Sequence, residues 1–100
     1  MLNIRKLIFD RQNIAHMARH RVIPEEVVYV CHHNPFVQAG EKQNRVVVLG
    51  YTEEKRLLGI PLQNRGEGRY YPVTAYDASP EDKVLYTRER GGEKDDEEEK

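Results

Sequence analysis

Two histidines lie four residues apart in the stretch NIAHMARHRVIPEEV, residues 13–27. His16 and His20 can share one face of a helix at this spacing, and Arg19 and Arg21 flank the second histidine. Imidazoles bind metals, transfer protons in sites that handle polyanions, or simply pack beside a turn. The rest of the chain has to distinguish among these three interpretations.

The metal interpretation is the weakest of the three. His32 and His33 offer two more imidazoles, but neighbouring helical residues point about 100° apart, so at most one could join a shared site. The chain has no H-E-x-x-H motif and no second cysteine beside Cys31. We predict no metal and no other cofactor.

Length and cysteine content limit the architecture. One hundred residues provide for one domain with a modest core, and no apolar run approaches the roughly 20 residues that span a bilayer. Cys31 is the only cysteine, so no internal disulfide can form. We therefore expect a cytoplasmic protein that does not enter a membrane, with Cys31 as a small buried side chain.

Charge divides the chain into two parts. Residues 93–100 contain six acidic and two basic residues, a net charge of −4. The other 92 residues contain 14 basic and 11 acidic residues, a net charge of +3. We predict a domain over residues 1–90 that can accept a nucleic-acid partner, followed by a disordered acidic tail over residues 91–100.

The order of elements predicts an α+β fold. A short strand leads to two helices, of which the first is capped by Asp10 and the second begins at Pro24. Ser79, with Asp82 three residues later, caps a third helix. The intervening β-rich runs are residues 45–52, 55–62 and 69–76.

We expect the helices to pack on one face of a mainly antiparallel sheet, with Pro61 and Pro72 at interruptions or edges of strands. Apolar residues at helical and strand spacing define the predicted core. Its members are Ile14, Met17, Val27, Val47, Leu49, Leu58, Ile60, Val73 and Leu85.

Four segments of the chain resemble the BrnT toxin family of bacterial toxin–antitoxin systems. They are NIAHMARHRVIPEEV, NRVVVLG, RLLGIPL and RYYPVTAYDASPEDKVLY, and the resemblance extends over residues 7–86. It implies a RelE-like fold, cleavage of mRNA, and neutralisation by an antitoxin partner. Three positions depart from the family pattern: Arg21 replaces a common glycine, and Tyr51 and Tyr76 replace basic residues.

The resemblance directs attention to groups that could cleave RNA or hold it. His20 can act as acid or base, and we assign catalytic roles to His20, Arg69 and Tyr76. The expected RNA contacts are arginines for phosphates and tyrosines for unpaired bases: Arg19, Arg45, Arg56, Arg65, Tyr51 and Tyr70.

Geometry adds one expectation about these groups. We expect His20, Arg45, Arg56 and Arg69 to gather on the sheet near the end of the first helix, with Arg56 at the strand end opposite the other two arginines.

Losing two basic residues of the family pattern predicts an endonuclease of reduced activity. The alternative is a non-catalytic module of the same fold that binds a protein partner or RNA.

Overall fold

The computed structural model describes residues 2–99, and the side chains of residues 2–90. Two helices near the N-terminus, a mixed and mostly antiparallel sheet and one C-terminal helix confirm the predicted α+β layout. In chain order the elements are β1 (Lys6–Leu7), α1 (Arg11–Ala18), α2 (Pro24–Cys31), β2 (Phe36–Ala39), β3 (Arg45–Tyr51), β4 (Leu57–Asn64), β5 (Arg69–Pro72), β6 (Tyr76–Asp77) and α3 (Pro80–Glu99).

The sheet has the strand order β1-β5-β4-β3-β2, and β6 pairs with β4 beyond the end of β5. β1 is parallel to β5, and the other pairs are antiparallel. The sequence analysis did not predict β2, which forms one edge of the sheet. The predicted tail, residues 91–100, lies outside the part of the chain described with its side chains.

Pro61 lies in the middle of β4, where this strand changes partners. One side of β4 pairs with β6 as far as Gly59 and with β5 from Leu62 onward. The carbonyl of Pro61 accepts a hydrogen bond from Val73 N–H at 2.9 Å, so the missing N–H faces the gap between the two strands. The predicted interruption is confirmed at Pro72, where β5 ends and the run over residues 69–76 divides into two strands. It is wrong for Pro61, because β4 continues through this residue in the interior of the sheet.

The helices cover both faces of the sheet. A methyl group at Gly50 would collide with Val30 of α2, whereas the next side chain, Tyr51, meets Tyr86 of α3 with ring centroids 5.3 Å apart. Consecutive strand residues point to opposite faces, so α3 lies opposite α2. The expectation that all helices share one face is wrong for α3, because Leu49 and Tyr51 give the second face an apolar surface of its own.

The core lies between the sheet and helices α1 and α2. Four predicted members are buried there, namely Met17, Val27, Leu58 and Ile60, whereas Leu49 is buried on the opposite face of the sheet. Val47, Val73 and Leu85 are only half-buried. Ile14 is 39% exposed, which corrects its assignment to the core.

Asn13 occupies the inward position on α1 that Ile14 was expected to take. Its side chain accepts from Asp10 N–H at 2.8 Å and donates to the carbonyl of Ile8 at 2.9 Å. Asp10 in turn accepts from Asn13 N–H at 2.9 Å, which completes a reciprocal cap at the start of α1. A buried polar group is tolerated there because its hydrogen bonds are made.

The other predicted helix starts are also confirmed. Pro24 opens α2, and Ser79 and Asp82 exchange two side-chain-to-backbone hydrogen bonds of 3.1 Å at the start of α3. No helix within residues 2–99 combines the length and apolar composition needed to cross a bilayer.

Candidate functional site

The turn after α1 positions the residues that the sequence singles out. Arg21 N–H donates to the carbonyl of Ala18 at 2.9 Å, and Val22 N–H donates to Met17 at 3.0 Å, which is the Schellman pattern. Arg21 has φ of +61°, a left-handed conformation that favours glycine. Residues 19–21 therefore lie on a tightly bent backbone just after α1.

The two histidines of the opening motif do not share a helix. His16 is half-buried on α1, whereas α1 ends at Ala18 and His20 lies in the turn beyond it. His32 and His33 follow α2, where each Nδ1 bonds to a backbone carbonyl, of Val28 at 2.9 Å and of Tyr29 at 2.7 Å. Among the described residues, no three His, Cys, Asp or Glu side chains form a metal-binding group.

Arg56 anchors the turn to the sheet. Its Nε donates to Asp77 Oδ1 at 2.6 Å, its Nη1 donates to the carbonyl of Arg21 at 2.6 Å, and its Nη2 donates to the carbonyl of His20. The guanidinium that we assigned to RNA is thus bonded within the protein. The hydrogen bond to Asp77 raises the pKa of Arg56 further above its usual value.

Arg19, His20, Arg21, Arg56 and Asp77 line an open cleft of about 560 Å³, which we call the turn cleft. Three arginines against one carboxylate give it a formal charge of +2 when His20 is neutral. The hydrogen bond from Arg56, with the charges of Arg56, His20 and Arg21, lowers the pKa of Asp77. Asp77 is therefore ionised at neutral pH, and the cleft combines cationic groups with one imidazole.

Arg45 and Arg69 lie at the other end of β4. Arg45 is the partner of Gln63 in the β3–β4 pair, and Arg65 N–H donates to the carbonyl of Arg69 at 2.8 Å. Arg45 and Arg69 therefore share one strand end, as predicted. Gln63, the partner of Arg45, lies about 23 Å from Arg56 along the strand. Because Arg56 is bonded to the backbone of His20, the predicted gathering of all four residues is wrong.

The arginines at the β4–β5 turn have partners within that turn. Arg69 donates from Nε to Gly66 at 3.2 Å and from Nη2 to the carbonyl of Arg65 at 3.0 Å. The guanidinium of Arg65 lies 4.5 Å from the ring centroid of Tyr71 and donates to Gln63 at 2.8 Å. Both arginines remain exposed, but they lie far from the turn cleft.

Two tyrosines expected to stack on bases are used for packing. Tyr70 is only 7% exposed and belongs to the core, so its ring has no open face for a base. Tyr51 is half-buried and packs edge-on against Tyr86 of α3. These positions correct the predicted base contacts, because the alternation of β3 and β5 directs both rings into packed layers.

Tyr76 lies on the sheet face opposite the turn cleft. Gly59 is its partner across the β4–β6 pair, and a Cβ at Gly59 would lie 2.5 Å from Tyr76 Cε1, so the ring lies directly over this glycine. Burial is the main cause that raises the pKa of Tyr76, with Asp82 as a second cause. The hydroxyl is therefore protonated at neutral pH and can donate a hydrogen bond.

Tyr76 lines a second open cleft, of about 490 Å³, on the part of this face that lies beside the β2–β3 hairpin. We call it the sheet cleft. Its lining comes from β2, β3, β4, β6 and the β2–β3 turn: Gln38, Ala39, Gly40, Glu41, Lys42, Arg45, Val46, Val47, Pro61 and Tyr76.

The predicted catalytic residues are thus distributed over three places. His20 lies in the turn cleft, Tyr76 in the sheet cleft, and Arg69 at the β4–β5 turn. Sequence analysis missed Asp77 and Lys42 as cleft residues. Strand alternation after Tyr76 could have indicated that Asp77 faces the other way, but its ion pair with Arg56 is 21 residues distant in sequence and had no local signal.

Comparison of the chain with models of protein families, with curated proteins and with solved structures finds no match.

Proposed function

We propose that this chain is a BrnT-like, RelE-fold domain that binds RNA in the turn cleft and cleaves it weakly. One observation carries the proposal: Arg19, His20 and Arg21, in the segment that most resembles the family, line one cleft with Arg56. Cationic side chains around an imidazole suit a scissile phosphate, because they stabilise the added negative charge of the transition state.

The reaction needs no metal. The ribose 2′-oxygen attacks the neighbouring phosphorus and the 5′-oxygen leaves, which produces a cyclic phosphate and a free hydroxyl. His20 can take the proton from the 2′-hydroxyl or supply one to the leaving oxygen, and water completes the other transfer. Arg19 and Arg21 hold the phosphate oxygens, while Arg56 and Asp77 fix the turn. One imidazole, beside a carboxylate that is bonded to Arg56, supports slow cleavage.

The test is an RNA cleavage and binding assay on the full chain. His20→Ala should abolish cleavage and leave RNA affinity nearly unchanged, because Arg19 and Arg21 still hold the phosphates. His16→Ala is the matched control, since His16 lies on α1 outside the turn cleft. Cleavage that survives His20→Ala would overturn the catalytic assignment.

The arginines test the binding part of the same proposal. Arg19→Gln combined with Arg21→Gln should lower RNA affinity and make it less dependent on salt, because two phosphate contacts are lost. Arg11→Gln, at the exposed start of α1, is the control for a general change of charge. Equal effects of the double variant and the control would contradict a site in the turn cleft.

A second candidate function is a binding module without catalysis. The separation of Tyr76 and Arg69 from His20 favours it, because the residues assigned to the chemistry do not share one cleft. RNA binding that depends on Arg19 and Arg21, with no cleavage product after long incubation, would identify such a module.

The resemblance also supports a protein partner, an antitoxin that neutralises the domain. Co-purification with the product of the adjacent reading frame, combined with loss of RNA binding in the complex, tests this part. A complex that still binds RNA through Arg19 and Arg21 would contradict neutralisation at the turn cleft.

A further inference from the structure

From the sheet cleft we infer a second ligand site, one that binds a single nucleotide with its base on the ring of Tyr76 and its phosphate on Arg45 and Lys42. The inference deepens the proposed function and rests on it only for the identity of the ligand as a unit of single-stranded RNA. The residues that carry it differ from those of the turn cleft.

The ring of Tyr76 packs against Gly59, a position with no room for a side chain. A Cβ at Gly59 would lie 2.5 and 2.8 Å from two ring carbons of Tyr76 and 3.0 Å from its hydroxyl oxygen. The ring therefore rests on the backbone of β4, and its remaining surface lines the sheet cleft. An aromatic ring fixed from behind is a suitable platform for a base, because little side-chain entropy is lost when the base stacks.

The floor beside this ring is apolar, and its rim is polar. Val47 and Pro61 are partners in the β3–β4 pair and extend the surface next to Tyr76. Gln38 is the partner of Val47 on the other side, in β2. The amide of Gln38 offers both donors and an acceptor to the edge of a base.

Two cationic residues occupy the hairpin side of the cleft. Among the described side chains, neither Lys42 nor Arg45 forms a salt bridge. Gly40 N–H donates to the carbonyl of Arg45 at 3.0 Å, and a Cβ at Gly40 would lie 2.8 Å from Arg45 Cβ. This close approach fixes the start of the Arg45 side chain at the rim.

The charge of the cleft limits the ligand to few phosphates. Glu41 belongs to the same lining, so two cations face one carboxylate and the formal charge is +1. A phosphodiester or a monophosphate matches this balance better than a triphosphate does. Ring, apolar floor and one excess positive charge together fit a nucleoside monophosphate unit.

β6 joins the two clefts. Tyr76 and Asp77 are consecutive residues of this strand, so their side chains point to opposite faces, one into each cleft. Among the described strands, β6 pairs only with β4, which leaves its other side as an edge. A flexible single strand can pass around that edge, whereas a rigid duplex cannot follow such a bend.

The experiment is a titration of the full chain with adenosine monophosphate, followed by amide NMR. Signals of residues around the sheet cleft should move. Tyr76→Leu and Arg45→Gln should each weaken binding at least about fivefold, because a base stack or a phosphate contact is lost. Tyr76→Phe is the matched control and should bind like the wild type, since it keeps the ring.

Simpler ligands separate the two parts of the site. Ribose 5-phosphate and inorganic phosphate should bind more weakly than the nucleotide and should be insensitive to Tyr76→Leu. Phosphate that binds as tightly as the nucleotide would overturn the proposal, and so would wild-type affinity in Tyr76→Leu or signals that move only around the turn cleft. Arg45→Gln changes a rim side chain and serves as the second variant if Tyr76→Leu does not fold.

The outcome is distinguishable from failure of the proposed function. His20→Ala should leave nucleotide binding unchanged. RNA that neither binds nor is cleaved at the turn cleft, with nucleotide binding intact, contradicts only the proposed function. RNA binding that needs Arg19 and Arg21, with no nucleotide binding, contradicts only this inference.

Discussion

Arg56 and Asp77 connect the start of β4 to β6 through a contact of 2.6 Å between Nε and Oδ1, and the same guanidinium holds the backbone of the α1–α2 turn. The pair is partly exposed, with 28% and 67% of the side chains accessible, so solvent screens its charges. The pair matters for stability mainly because Arg56 also holds the carbonyls of His20 and Arg21 next to it.

Arg56→Met should therefore destabilise the protein. We expect a loss of about 1–3 kcal/mol in the free energy of unfolding, because several hydrogen bonds to a charged group disappear together. Urea unfolding measures it. Arg69→Met is the control: among the described residues, its guanidinium bonds to carbonyls of an exposed turn, so the loss should be smaller. Equal losses would contradict the anchoring role of Arg56.

Arg21→Gly should separate stability from RNA binding. Relief of the left-handed conformation should stabilise the protein by about 1 kcal/mol. The same change removes a cation from the turn cleft, so RNA affinity should fall. Thermal unfolding and a binding assay on one preparation measure both. Asn44→Gly, at φ of +63°, is the matched control and should gain less, because asparagine tolerates this conformation better.

Leu58→Ala and Ile14→Ala test the assignment of the core. Leu58 is fully buried between the sheet and the helices, so its truncation should cost about 2–5 kcal/mol. Ile14 is 39% exposed, and its truncation should cost less than about 1 kcal/mol. Similar unfolding midpoints in urea for the two variants would mean that the orientation of α1 is wrong.

The loss of folding stability at acid pH should depend on Asp77. Its pKa is lower in the folded protein than its ordinary value of 3.8, so the unfolded chain binds the proton more readily. The stabilisation is present above pH 3.8 and is lost as the pH falls through the lower folded value. Asp77→Asn should flatten this loss in unfolding measured against pH. Glu81→Gln, at an exposed position of α3 outside the turn cleft, is the charge control for this comparison.

Deletion of residues 93–100 should raise RNA affinity at low salt. The segment carries a net charge of −4 against +3 for the rest of the chain, and its repulsion of RNA is removed. The gain should fade as salt is added, and the thermal midpoint should hardly change. A chain of full length with the six acidic residues replaced by glutamine should behave like the deletion; if it does not, charge is not the cause.

Local signals in the sequence predicted the helix starts. Asp10, Pro24 and Ser79 act on the backbone within three residues of themselves, and each lies where a helix begins. β3 and β4 follow from their apolar composition. In contrast, β2 offers only four residues with no clear alternation. Pro72 indicated a break in the last run, but not that its second part, β6, would pair with β4 beyond the end of β5.

The candidate site was less predictable than the fold. His20 and Arg19 line one cleft because they are neighbours in the chain. The partners of Arg56 are backbone carbonyls 35 and 36 residues away, and no pattern of residue types reports such contacts. The burial of Tyr70 and the covering of Tyr51 depend on how the layers pack, which spacing within a strand does not specify.

The shortness of β6 has a kinetic consequence. Two residues pair with β4, and Ala78 N–H adds one bond of 3.0 Å to Leu57. Because these bonds are few, they can break while the β3–β4 ladder stays intact. We therefore expect the amide hydrogens of β6 to exchange with solvent faster than those of β4. Because Tyr76 and Asp77 are both carried by β6, each such opening dismantles both clefts at once. A ligand in either cleft should therefore slow hydrogen exchange along this one strand.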